Sequence, residues 1–194
     1  MPPRRRPTPR PTLGSSVQSA ATLVAVPIAV QFIEIATRTP LSGFGIHPRE
    51  AIGLIGILFS PLLHAGPAHL FGNAGPLFVL LTLLLNDPKY RPGSALATIW
   101  IGSGLGTWIL GRGDFNGEPT VHIGASSIIY GLVTFLIAAG FRMQSWRAFF
   151  ISIVVGLAYG GIFYGILPRE GPVSWEGHLA GAIAGLFAAQ RLHR

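Results

Sequence analysis

A chain of 194 residues that is 49% hydrophobic and only 11% charged cannot clothe a soluble domain, and its mean hydropathy of +0.53 points to lipid as its solvent. The absence of cysteine excludes disulfide scaffolds and thiolate metal sites. A net charge of +7 would suit a nucleic-acid binder, but the arginines form no stripe on a soluble fold, so no nucleic-acid partner is expected.

Residues 1–14 hold Arg4, Arg5, Arg6 and Arg10 among Pro2, Pro3, Pro7, Pro9 and Pro11, too polar and kinked to pack, and read as a disordered basic tail. The apolar run 16–37 follows. It exceeds the roughly 7–15 residues of a signal-peptide core and is long enough to span, so an uncleaved first helix is expected. Region 38–66 contains the apolar run from Ala51 to Leu63, too short to span, which reads as a partly helical loop at the outer interface.

Further spanning stretches fall at 67–86, 93–111, 124–141, 147–167 and 175–192, each near the ~20 residues a bilayer core requires. Between them lie polar punctuation marks, Asn86-Asp87-Pro88-Lys89, Gly111-Arg112-Gly113-Asp114, Arg142-Met143-Gln144 and Pro168-Arg169-Glu170. The expected fold is an all-α membrane protein, a six-transmembrane-helix bundle over residues 15–194.

Lysine and arginine counts orient it. Arg4, Arg5, Arg6, Arg10, Lys89, Arg91, Arg142, Arg147, Arg191 and Arg194 share one side, while Arg38, Arg49, Arg112 and Arg169 lie on the other. The positive side is cytoplasmic, which puts both termini inside and the tail in the cytoplasm. The second, fourth and sixth segments then begin at the outer face.

Each of those three begins with a polar motif. They are His69-Leu70-Phe71-Gly72-Asn73, Gly124-Ala125-Ser126-Ser127 and Gly177-His178-Leu179-Ala180-Gly181. Such groups are costly in hydrocarbon, so three at one depth read as a functional site. The types suit acyl transfer, which needs a nucleophile, a base and donors for a developing oxyanion. Ser126, after Gly124 and at a helix start with free N–H groups, is the candidate nucleophile. His178 is the candidate base. Gly181, Ala182 and Gly185 lie on its helical stripe, where small residues allow a neighbouring helix to approach. His69 and Asn73, four apart, face one way and form a candidate oxyanion pair, and Tyr130 lies one turn below Ser126.

These motifs resemble those of the rhomboid intramembrane serine proteases, and the resemblance spans all six segments. It implies a Ser126–His178 dyad, His69 and Asn73 on the oxyanion side, Tyr130 stacked on the base, and no cofactor. It also implies partners that are membrane proteins with transmembrane helices, cleaved near the outer face of a bacterial inner membrane. The chain departs from the family pattern at Ser127, where glycine is usual, and lacks a Trp-Arg pair in the first outer loop. Ser127 is itself a rival nucleophile, although the spacing to Tyr130 favours Ser126.

Other polar residues read as bystanders. His122 precedes Gly124 in a loop and reads as a surface histidine; His64 borders the site structurally; His47 is in a loop and His193 on the wrong side. Glu176 is two residues from His178 and points elsewhere on a helix, so no acid completes a triad. An aspartyl mechanism fails because Asp87 and Asp114 lie in loops, and no H-E-x-x-H sequence supports zinc. Gly156, Gly160, Gly161 and Gly165 make the fifth segment a candidate mover for substrate entry. Two other functions could use the same groups: a catalytically inactive rhomboid-like binder of membrane proteins, kept open by Ser127, and a small transporter, against which no internal repeat is evident.

Overall fold

The computed structural model of the chain describes residues 11–192, so residues 1–10 of the expected 1–14 tail, His193 and Arg194 lie outside the described residues. Helix α1 (Leu13–Thr37) begins just inside the stretch expected as tail, where the Thr12 hydroxyl accepts the Ser15 N–H as an N-cap. The short α2 (Gly53–Phe59) runs into a 3₁₀ turn, Ser60–Leu62, which makes the 38–66 region the partly helical connection its short apolar run predicts.

Helices α3 (Pro67–Leu85) and α4 (Pro92–Leu110) each begin on a proline whose missing N–H costs nothing in the first turn. Helix α5 spans Ser126–Arg142. Helix α6 (Trp146–Tyr159) is capped by Ser145 and continues as a 3₁₀ stretch, Gly160–Ile166; α7 (Trp175–Gln190) is capped by Ser174. Between α4 and α5 a small antiparallel hairpin pairs β1 (Asp114–Phe115) with β2 (Glu118–Pro119) through Asn116-Gly117, both at positive φ. That dipeptide is a hairpin signal the sequence reading passed over.

Among the described residues six helical stretches stand at the expected places, and four of them are long and apolar enough to cross a membrane: α1, α3, α4 and Trp146–Ile166. Helices α5 and α7 are shorter, at 17 and 16 residues. For α5 its position accounts for this. Helix α5 is enclosed by α3, α4, α6 and α7, and its residues from Ile128 to Leu136 are buried without a break. An inner helix is matched to its protein neighbours rather than to the full lipid thickness.

Helix α7 packs on both α4 and α5. Its small residues set the spacing: a side chain on Gly181 would strike the Ser127 backbone, and one on Gly185 the Gly131 carbonyl. The Thr134 hydroxyl, buried between them, donates to the Ala182 carbonyl at 2.8 Å. With lipid as apolar as the core, such close packing and interhelical hydrogen bonding replace the hydrophobic drive of soluble proteins. Apolar side chains such as Phe32, Phe71, Phe150 and Leu157 face outward instead.

Candidate active site

The first turns of α3, α5 and α7 meet at one end of the bundle around an open cavity of about 450 Å³ whose lining includes His69, Ser126 and His178. Ser126 is the first residue of α5, and no side chain caps that helix, so its leading N–H groups stay free. Gly124, at φ 113, turns the chain into it.

His178 Nε2 lies 3.0 Å from Ser126 Oγ, and Nδ1 lies 3.0 Å from the Gly165 carbonyl oxygen. A carbonyl can only accept, so Nδ1 carries the ring proton and Nε2 presents a lone pair to the hydroxyl. That is the tautomer a general base requires. The Tyr130 ring stacks on the imidazole, with centroids 4.1 Å apart and planes 10° from parallel. Of the two adjacent serines, only Ser126 makes this bond. Ser127 instead lines a small polar cavity of about 20 Å³ with Ser60, Thr107 and Ser126, room for a single water.

On the facing wall the Ala65 N–H donates to His69 Nδ1 at 3.3 Å, which leaves the His69 proton on Nε2. A Cβ placed on Gly124 would sit 2.9 Å from that Nε2 and 3.6 Å from Asn73 Nδ2. Both nitrogens therefore border the space the glycine leaves open. Asn73 Nδ2 is buried with no hydrogen-bond partner. His64 is buried and packs edge-on against His69 with centroids 5.0 Å apart, and the His47 ring bonds to the Gly43 carbonyl in its own loop.

The sequence reading missed two features. Gly165 orients the His178 imidazole through its backbone carbonyl, which no residue type announces. His122, read as a surface histidine, is buried, bonded through Nδ1 to Ser174 Oγ at 2.6 Å and through Nε2 to the Arg112 carbonyl at 3.0 Å. The loop that bears it is not solvated. It pairs through His122 with Ile46 of the first connection. Burial lowers the His122 pKa below the ordinary histidine value; the Arg112 carbonyl and Glu176 raise it, and Arg112 and Arg49 lower it.

Glu176 is almost fully buried beside Arg112, with Nε 2.6 Å from Oε1, although that N–H is not aligned as a hydrogen bond. The guanidinium also donates to the carbonyls of Gly171 and Val173 and so ties the hairpin loop to the α6–α7 connection. Arg49 donates to the Ile109 and Gly111 carbonyls at the C-terminus of α4, and Trp108 returns a bond to the Glu50 carbonyl. This arginine and tryptophan fasten the first connection, which has no adjacent Trp-Arg pair of its own. Among the described residues no three His, Asp or Glu side chains converge as a metal site requires.

Residues 52–194 match the family model described as the rhomboid domain. Similar proteins include uncharacterised proteins of Mycobacterium bovis and Mycobacterium tuberculosis, each 40% identical over 98% of this chain and 80% of its own length. An uncharacterised Mycobacterium leprae protein is 39% identical over 88% of this chain and 69% of its own. No solved structure matches.

Proposed function

The chain belongs to the rhomboid family, and on that premise we propose that it is an intramembrane serine endopeptidase that cleaves transmembrane-helix substrates with a Ser126–His178 dyad. The observation that carries this reading is the pair of bonds on one imidazole, Nε2 to Ser126 Oγ and Nδ1 to the Gly165 carbonyl.

Ser126 Oγ attacks the scissile carbonyl while its proton passes to His178 Nε2. Negative charge collects on the carbonyl oxygen, stabilised by the Ser126 N–H, His69 Nε2–H and Asn73 Nδ2–H. The imidazolium, kept in place by the Gly165 carbonyl and Tyr130, then protonates the leaving amine. A water activated by the same imidazole hydrolyses the acyl-enzyme, and the cavity shared by Ser60, Thr107 and Ser127 offers a place to hold it. The chemistry needs no cofactor.

Six membrane-spanning helices, cytoplasmic termini and a site open to the outer face of a bacterial inner membrane complete the proposal. The charge asymmetry supports the orientation, and the convergence of three helix starts on one cavity supports a site at a single depth. Substrate helices would enter past α6, whose Leu157 and Val154 face away from the bundle. Reconstituted protein offered a panel of single-span substrates tests the reading: cleavage by wild type and none by Ser126→Ala is expected, and equal cleavage by both contradicts it.

A further inference from the structure

His122 is used by no step of that chemistry, yet it is buried and has polar partners on both ring nitrogens. The chemistry of those partners fixes the direction of each bond. The Arg112 carbonyl can only accept, so Nε2 is the protonated nitrogen and Nδ1 is a bare acceptor. Ser174 Oγ, 2.6 Å from Nδ1, must donate its hydroxyl proton there. Its lone pair is engaged as well, because the Gly177 N–H donates to the same oxygen at 3.2 Å as the N-cap of α7. The His178 N–H donates to the Ser174 carbonyl at 3.2 Å, the first turn of that helix. One serine thus joins His122 to the turn that begins at the cap and ends at the base. At its other side the His122 backbone is pinned by a reciprocal pair of bonds to Ile46, at 2.9 and 3.0 Å.

We propose that His122 is a positioning residue for the hydrolytic reaction: by accepting the Ser174 hydroxyl proton it fixes the N-cap of α7 and hence the placement of His178 against Ser126. The inference rests on the protease reading above. It holds only while His122 is neutral, since a proton on Nδ1 would face the Ser174 hydroxyl and force it to turn. The charged groups around the ring are Arg49 from the first connection, Arg112 from its own loop and Glu176 from α7, while His69 and His178 share the cavity. Arg49 and Arg112 oppose that proton and Glu176 favours it.

The test is the rate of fluorophosphonate labelling of the purified full chain in detergent, followed against probe concentration and from about pH 5 to pH 9. His122→Ala should lower the maximal labelling rate roughly tenfold or more, because the base is displaced. His122→Asn, which offers one acceptor and one donor without titrating, should restore most of that rate and extend labelling to lower pH. Labelling of His122→Ala at the wild-type rate would overturn the inference alone, as would equal slowness of the Ala and Asn variants at wild-type thermal stability. Where His122→Ala does not fold, Ser174→Thr and Ser174→Val decide the matter: the hydroxyl-bearing variant should label and its isostere should not, and equal rates overturn the inference. A folded wild type that never labels overturns the protease reading and this inference with it.

Discussion

His178 Nδ1 and the carbonyl oxygen of Gly165 stand 3.0 Å apart, so the imidazole proposed as the base is oriented by a backbone acceptor and not by a carboxylate. A neutral carbonyl stabilises an imidazolium less than a charged partner would. It also makes the base depend on the position of the 3₁₀ stretch that follows α6. A methyl on Gly165 would overlap the Tyr130 hydroxyl and stand 3.4 Å from Nδ1. Gly165→Ala should therefore cut labelling or turnover by up to ~10²-fold, the usual consequence of an ångström-scale displacement, while the protein remains folded. Wild-type activity in that variant would show that the carbonyl does not orient the base.

The orphaned Asn73 amide and the His69 Nε2 proton face the same space. On the proposed mechanism these donors act on charge that exists only in the transition state, so Asn73→Ala and His69→Ala should each lower turnover by roughly 10²–10³-fold with little change in KM. A rise in KM at constant kcat would instead mark them as ground-state substrate contacts.

Arg112 and Glu176 join the hairpin loop to α7 with one carboxylate buried. Removing one charge leaves the other uncompensated, which typically costs about 3–5 kcal/mol. Partial exposure of Arg112 places the expected loss for Glu176→Gln at the low end, read as a lowered melting temperature in detergent. In the double variant with Arg112→Met the losses should be less than additive. Strict additivity would mean that the two side chains do not interact.

His64 predicts an acid-side loss of stability. Burial, with help from the neighbouring His69, lowers its pKa from 6.5 to about 4, so the folded protein keeps it neutral where the unfolded chain protonates it. Its contribution is complete above pH 6.5, declines as the pH falls from 6.5 towards 4, and changes little below that. Thermal melting across this window should show a slope that flattens in His64→Phe. A slope unaltered by the substitution would assign the acid sensitivity to other groups.

The residues gathered at the cavity were legible because their chemistry is carried by residue type and helical spacing. Ser126, His178, His69, Asn73 and Tyr130 each sit a fixed offset from a helix start. Gly165 was read for its flexibility, because a carbonyl that accepts one bond leaves no trace in the choice of residue. His122 was misplaced for a different reason. Its loop has no periodicity, and the bonds that bury it come from Ser174, 52 positions away, and from Ile46. The length of α5 depends on the same non-local information. Hydropathy sets the length of a helix in contact with lipid, whereas an enclosed helix answers to neighbours that only the fold identifies.

The most direct test of the account is fluorophosphonate labelling of the purified wild type beside Ser126→Ala, Ser127→Ala and His178→Ala. A working dyad predicts labelling of wild type and Ser127→Ala and none of Ser126→Ala or His178→Ala, with all four proteins equally folded. Labelling that survives loss of Ser126, or a folded wild type that never labels, would contradict it.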